Sequence, residues 1–223
     1  LMMEVQPLST DDYRELVSMG LDGVMVYQET YHEPTYDEHH LRGKKKDFRW
    51  RLETPDRLGD AGVDKIGLGA LLGLGDWRTD SLMVARHLQY LRKTHWQSRY
   101  SISFPRLRPC TGGFQPANPM SDRQLLQLIC AYRLFDPEVE LSLSTREGPE
   151  FRDFLMQVGI TTMSAGSKTQ PGGYAEDHPE LEQFAVSDER SPVQVASVIQ
   201  KQGMEVIWQE SSPQHWHNIP ISQ

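Results

Sequence analysis

The chain has 223 residues, of which 38% are hydrophobic and 24% are charged, a composition typical of a globular protein with one large core. Its net charge of −8 argues against nucleic acid or an anionic membrane surface as the main partner. No apolar run approaches the ~18 residues that a membrane-spanning helix needs. The two cysteines, Cys110 and Cys130, are too few for a disulfide scaffold and wrongly spaced for a metal site. We therefore expect a cytoplasmic protein with no metal ligands of its own.

The predicted secondary structure alternates between strands and helices along the chain. Period-two or continuous apolar patterns predict strands at Met2–Gln6, Gly23–Tyr27, Asp64–Gly75, Tyr100–Phe104, Leu141–Ser144, Ile160–Ser164 and Glu205–Trp208. Helical spacing and N-terminal capping residues predict helices over residues 9–19, 47–58, 80–94, 121–134, 149–158 and 193–202. Between residues 28 and 46 we expect a polar cluster and then a basic loop whose charges face solvent.

No two predicted strands are joined by a hairpin turn, so their order indicates a parallel sheet with right-handed crossovers. We count about five βα units, whereas a closed TIM-type barrel has eight. The chain also opens directly on a strand. We therefore expect an α/β fold that is a partial (β/α) TIM-type barrel with its first strands absent. Residues 1–175 would form the barrel, and residues 176–223 a C-terminal extension that packs on it and frays at its end.

Two strands are followed directly by arginine. In Tyr100–Pro109, serines alternate with apolar residues until the strand ends, and Arg106 and Arg108 follow at once. Leu141–Glu147 repeats this design, with Arg146 after the strand. A rigid strand that ends in arginine aims a bidentate donor, which is a common way to bind an anion. The alternative is a pair of strands followed by solvated arginines.

In a parallel barrel, functional side chains come from the C-terminal ends of the strands. The polar residues at the predicted ends are Glu4, Gln6, Tyr27, Gln28, Glu29, His32, Ser103, Arg106, Arg108, Ser144, Arg146, Glu147, Ser164 and Ser167. Arginines together with acids suit a zwitterion such as an amino acid, because arginine binds a carboxylate as a fork and an acid accepts from an ammonium group. The glycines of Gly67–Gly73 either let the backbone approach a flat ligand such as adenine or allow tight strand-to-helix packing.

Five longer motifs, in this order, resemble those of a known family. They are Met25–His32, Trp50–Arg57, Ser103–Pro109, Ser144–Glu147 and Ser167–Tyr174. With them the chain resembles the radical S-adenosylmethionine (SAM) lyases of aromatic amino acids, and among these the tyrosine lyases of thiamine biosynthesis, or 2-iminoacetate synthases. The resemblance extends from Met3 to about Trp208.

The resemblance implies a radical SAM (β/α) barrel and a specific reaction. The family cleaves SAM reductively at a 4Fe-4S cluster, and the 5′-deoxyadenosyl radical takes a hydrogen atom from L-tyrosine. The Cα–Cβ bond then breaks to give p-cresol and 2-iminoacetate (dehydroglycine), from which thiazole synthase builds the thiazole ring. A flavodoxin- or ferredoxin-type protein is the implied reductant.

The resemblance also implies roles for individual residues. Arg146 is the candidate for binding the tyrosine carboxylate, and Ser164 or Ser167 would assist. Further candidates for carboxylate or SAM contacts are Ser103, Arg106 and Arg108. The ribose and methionine parts of SAM are expected near Glu4, Gln6, Tyr27, Gln28 and Glu29. The adenine is expected beside the backbone of Gly69, Leu71 and Leu72.

One departure from the family pattern is large. The family binds its cluster through a CxxxCxxC loop, which this chain lacks. We therefore expect a fragment of the enzyme that is inactive alone. An alternative is a non-catalytic remnant that binds an amino acid or thiazole synthase. A closer alternative is the tyrosine lyase of hydrogenase maturation, but its C-terminal cysteine triad has no counterpart after Cys130. A tryptophan-cleaving relative fits the motifs less well.

Overall fold

Six parallel strands form one sheet whose spatial order follows the order of the chain. This computed structural model describes residues 1–107, 116, 118–168 and 186–208. The strands are β1 Met2–Glu4, β2 Gly23–Met25, β3 Lys65–Gly69, β4 Arg99–Ser103, β5 Glu140–Leu143 and β6 Thr162–Met163. The helices are α1 Thr10–Ser18, α2 Glu33–His39, α3 Phe48–Leu52, α4 Thr54–Asp60, α5 Trp77–Thr94, α6 Asp122–Phe135, α7 Pro149–Val158 and α8 Pro192–Lys201. The sheet is a half-barrel, so the predicted partial (β/α) barrel is confirmed, with six strands instead of about five units.

One face of the sheet forms the core with the helices. Val24 of β2 lies in register with Ile66 of β3, and Leu68 of β3 with Ile102 of β4. All four side chains are at most 2% exposed, and they share a buried cluster with Leu88 of α5. Because successive side chains of a strand point to opposite faces, the intervening positions project into the barrel interior. The C-terminal strand ends therefore remain available for a site.

Serine side chains begin three of the helices. Ser9, Ser121 and Ser191 each accept a hydrogen bond from the backbone of the third helical residue, and each takes part in a capping box. These bonds satisfy N–H groups that have no partner inside the helix. The caps explain why α1, α6 and α8 begin within a residue or two of the predicted positions.

The segment predicted as a polar cluster and basic loop contains regular structure. Helix α2 forms because the His32 ring accepts a hydrogen bond from the backbone N–H of Thr35, and a short 3-10 helix follows at Lys44–Lys46. The single helix predicted over residues 47–58 is instead two helices, α3 and α4. They meet at Glu53, whose ψ of 2° departs from helical geometry.

No strand forms at Glu205–Trp208, where the apolar pattern predicted one. A strand requires a neighbour with which to share backbone hydrogen bonds, and this segment pairs with no strand in the part of the chain that is described. Helix α8 packs against α7, and Gln202 donates to the Asp153 carbonyl at 3.2 Å. The predicted domain boundary at 175/176 lies outside the described residues. Within the described ranges, no helix is both long and apolar enough to cross a membrane.

Candidate active site

Polar side chains from four strands meet at the C-terminal edge of the half-barrel. Glu4 ends β1, Tyr27 and Glu29 follow β2, Ser103 ends β4, and Arg146 follows β5. We call these five residues the strand-end cluster. The Tyr27 hydroxyl donates to Ser103 Oγ at 2.9 Å, a bond that spans β3. The charge of Arg146 interacts with Glu4, Glu29 and Tyr27, so the cluster is one electrostatic unit.

Gly69, at the end of β3, makes room for the Tyr27 ring. A Cβ atom at this position would lie 2.9 Å from the Ser103 carbonyl oxygen and 3.0 Å from Cδ1 of Tyr27. A larger residue would therefore push the ring away and break the bond to Ser103 Oγ. These contacts are with the ends of neighbouring strands and not with a helix, and the predicted place of Gly69 beside adenine stays a prediction.

Glu29 has a left-handed backbone with φ 73°, a conformation that costs an L-residue about 1–2 kcal/mol. Its carboxylate lies 3.2 Å from Arg51 Nη2, 3.7 Å from Lys45 Nζ and 4.0 Å from His40 Nε2. Arg51 also donates from Nε to the Tyr27 carbonyl at 2.6 Å. One buried guanidinium of α3 thus holds two residues of the strand-end cluster.

Neighbouring protein atoms shift pKa values in the strand-end cluster, although Glu4 is exposed and Arg146 is half-buried. Burial raises the pKa of Glu4, and the charge of Arg146 opposes this rise. Burial lowers the pKa of Arg146, and Glu4 and Glu29 oppose this fall. Burial also raises the pKa of Tyr27 to about 12, in spite of its bond to Ser103. An arginine together with carboxylates at one edge of the sheet suits the carboxylate and ammonium groups of an α-amino acid.

Arg106 has protein partners on all three guanidinium nitrogens. Nε donates to Glu147 Oε1 at 2.8 Å, and Nη1 donates to the Met120 carbonyl at 2.9 Å. Nη2 contacts both Glu147 Oε2 and Asp122 Oδ1, the latter at 2.7 Å. The side chain is only 4% exposed. The predicted contact of Arg106 with a ligand stays a prediction, but each nitrogen of its guanidinium already donates to a protein group.

The other predicted site residues differ in their surroundings. Ser164 and Ser167 follow β6 at the same edge; the Ser164 carbonyl accepts from Arg152 and its side chain is exposed, whereas Ser167 is half-buried. Gln28 is 4% exposed, and neither atom of its amide group has a partner among the described residues. Burying an unpaired amide is costly, so Gln28 is a fitting partner for a polar group of a bound cofactor.

The residues predicted beside adenine continue the sheet beyond β3. Leu71 N donates to the Glu29 carbonyl at 2.7 Å, and Leu72 N donates to the Pro105 carbonyl at 2.8 Å. Gln6 is exposed beyond β1. Arg108 lies outside the described residues.

The sequence patterns do not indicate Arg51 as a site residue, and they place Lys45 in a solvated loop. Lys45 is indeed 59% exposed, yet it reaches Glu29. The partners of Arg51 lie 22 and 24 residues away in the chain, so no local pattern shows the contact. Its place in the Trp50–Arg57 motif was the available signal.

The residues present do not fit a 4Fe-4S cluster. Such a cluster is held by cysteine thiolates, and the chain contains two cysteines. Cys130 is a free, half-buried residue of α6, and Cys110 lies outside the described residues. Within those residues, no group of three or more His, Cys, Asp or Glu side chains is placed to hold a metal ion. The ligands of a cluster would have to come from other residues than these.

Comparisons with known proteins identify the relatives of the chain. Residues 103–205 match the family model of the Biotin and Thiamin Synthesis associated domain. Over 211 residues, the chain is 64% identical to the 2-iminoacetate synthase of Salmonella typhimurium and 65% identical to that of Escherichia coli. This chain is a homologue of the 2-iminoacetate synthases. The match covers 94% of the chain but 56% of each relative, so the chain spans just over half of their length.

Two solved structures have the same fold as this chain, at lower sequence identity than the 2-iminoacetate synthases. The FeFe-hydrogenase maturase HydG from Carboxydothermus hydrogenoformans is 35% identical and superposes with a TM-score of 0.82, over 91% of this chain and 47% of HydG. Methylornithine synthase (PylB) is 17% identical with a TM-score of 0.66, over 92% and 58%, and this likeness concerns the fold alone. The partial barrel is thus of the radical SAM kind. The identity to the 2-iminoacetate synthases is higher than the identity to this hydrogenase maturase.

Proposed function

We propose that a protein comprising this chain and the remaining length of its relatives is a radical SAM lyase that cleaves the Cα–Cβ bond of L-tyrosine. The hydrogen atom abstracted from tyrosine would leave in 5′-deoxyadenosine, so the 4-hydroxybenzyl radical released by the cleavage would take one proton, and one electron from the protein reductant, to become p-cresol. The other product, 2-iminoacetate, would pass to thiazole synthase. Bound SAM would supply the hydrogen-abstracting radical after one-electron reduction by a flavodoxin- or ferredoxin-type protein. The identity of 64–65% to 2-iminoacetate synthases supports this proposal.

The strand-end cluster is the contribution of this chain. Its guanidinium, Arg146, would bind the substrate carboxylate, because a planar fork matches a carboxylate in geometry and charge. Glu4 and Glu29 would contact the ribose or methionine part of SAM, as the resemblance implies. Gln28, with its buried and unpaired amide, would bind a polar group of SAM. The observation that carries this assignment is the position of Arg146 directly after β5, at the edge of the sheet where β1 and β2 also end.

Arg146→Met in the full-length protein tests the assignment. A hydrogen-bonded charge contributes about 1.5–3 kcal/mol, so we expect the affinity for L-tyrosine to fall about 10- to 150-fold. Isothermal titration would measure this, with p-cresol formation as a second readout. Arg86→Met, on the exposed side of α5, is the matched control and should change neither. Unchanged saturation by tyrosine in Arg146→Met would remove this residue from the site.

A second candidate function is the binding of an amino acid or of thiazole synthase without catalysis, for which the arginine and the acids at the strand ends would be suited. Iron analysis after anaerobic reconstitution and an assay of SAM cleavage separate the two functions. Binding of tyrosine without iron or SAM cleavage would support the non-catalytic function. Stoichiometric iron and p-cresol release would support the lyase.

A further inference from the structure

Arg146 lies between two residues whose positions are fixed by buried contacts. Thr145 and Glu147 are each 1% exposed. The Thr145 carbonyl accepts from Ser187 N at 2.9 Å and from Asp188 N at 3.1 Å. The Glu147 carboxylate is held by both Nε and Nη2 of Arg106. The residue that would bind the substrate carboxylate is therefore anchored on both sides through the chain.

Arg106 is itself a rigid anchor. Its backbone forms a parallel bridge with Leu72, next to the bond from Leu107 N to the Leu72 carbonyl at 2.8 Å. Its guanidinium reaches the start of α6 through the Met120 carbonyl and Asp122. These contacts join the ends of β3 and β4 to the start of α6. The bond between Glu147 and Arg106 then attaches the turn after β5 to these three elements. When two guanidinium nitrogens donate to the two oxygens of one carboxylate, they fix the orientation of the carboxylate as well as its position.

We propose that Arg106 is a positioning residue, which holds Glu147 and thereby fixes the turn that presents Arg146 to the substrate. This role rests on the proposed function of Arg146 and gives Arg106 a task other than the ligand contact predicted from the sequence. The buried pair acts on the site although neither partner needs to touch the ligand.

A double replacement separates positioning from stability. Arg106→Met alone or Glu147→Leu alone leaves a buried charge without its partner, which destabilises the protein for reasons unrelated to the site. Arg106→Met with Glu147→Leu removes both charges, and such apolar pairs often restore stability. We expect this double variant to unfold near the wild-type melting temperature. The turn after β5, residues 145–148, should however be less tightly held than in the wild type.

Hydrogen exchange measures the turn without any ligand. In the full-length protein, the double variant should exchange the backbone amides of residues 145–148 at least tenfold faster than the wild type, while β3 is unchanged. The matched control is Lys65→Met with Glu140→Leu, which removes another buried ion pair at the opposite end of the strands. It should leave exchange at residues 145–148 as in the wild type. Unchanged exchange in the Arg106 and Glu147 double variant would overturn the proposal.

Tyrosine affinity then shows whether the turn matters for binding. A misplaced binding group loses on the order of 10- to 100-fold, and we expect such a loss in the double variant. If Arg106 acts through Glu147, adding Arg106→Met to Glu147→Leu should cost no further affinity; additive losses would indicate direct ligand contact and overturn the proposal. Arg106→Lys keeps the positive charge but cannot donate two parallel hydrogen bonds to Glu147, so its affinity for tyrosine should stay below that of the wild type. If the wild type does not bind tyrosine, the proposed function fails, while the exchange result still decides the role of Arg106.

Discussion

The left-handed backbone of Glu29 allows a sharp test of local strain. Glycine adopts a φ of 73° without steric cost, whereas alanine pays about 1–2 kcal/mol. Glu29→Gly and Glu29→Ala both lose the carboxylate that meets Arg51 at 3.2 Å, so that loss cancels in their comparison. Glycine is more flexible in the unfolded state, which offsets the difference by about 0.4–1 kcal/mol. We expect Glu29→Gly to be more stable than Glu29→Ala by about 1 kcal/mol.

Urea unfolding of the two variants measures this difference. With ordinary denaturant slopes, about 1 kcal/mol corresponds to a midpoint that is roughly 0.3–1 M higher for Glu29→Gly. Glu189 is the control position, since it is exposed and is not among the described non-glycine residues with positive φ. At Glu189, the alanine variant should be at least as stable as the glycine variant. Equal midpoints for the two Glu29 variants, or a more stable alanine, would refute the strain argument.

Two further predictions concern stability. Gly59→Ala would place a Cβ atom 2.3–2.8 Å from atoms of His95 and should destabilise the protein by about 1–3 kcal/mol in thermal unfolding, whereas Gly148→Ala, with open space around it, should be close to neutral. Burial favours protonation of Asp188, but hydrogen bonds from Arg190 outweigh it and hold its pKa below the usual value. Its stabilisation is therefore present above about pH 4 and is lost as the pH falls through the lowered pKa. Asp188→Asn should flatten the acid side of the stability profile, and an unchanged slope would contradict this account.

Much of the fold follows from local patterns. The apolar runs that become β2, β3, β4 and β5 are continuous or alternate with period two, and such periodicity is set by strand geometry itself. The parallel topology follows from the absence of hairpin turns, because only crossovers can connect the strands. Secondary structure was predicted less reliably where a single contact decides whether a helix or strand forms. The helix α2 depends on the cap by His32, and Glu205–Trp208 has strand-like residues but no described strand to pair with.

The candidate site divides in a similar way. Tyr27, Glu29 and Arg146 could be selected from sequence because each follows a predicted strand, and all parallel strands end at the same edge. All three lie at that edge in the structure. Their roles toward tyrosine and SAM stay predictions. The orphaned amide of Gln28 was selected for its position, and only the structure shows that it is buried without a described partner.

By itself, the sequence determined the alternation of strands with most of the helices, the parallel topology of the sheet and the kinship with 2-iminoacetate synthases. Only the tertiary structure decided which partners Arg106 and Arg51 have. Arg106 and Arg146 both follow a strand, but Arg106 meets Glu147 across 41 residues of chain, and Arg51 meets Glu29 across 22. Strand and helix patterns arise from interactions between neighbours in the chain, whereas the partner of a buried charge is set by which distant segments the fold brings together.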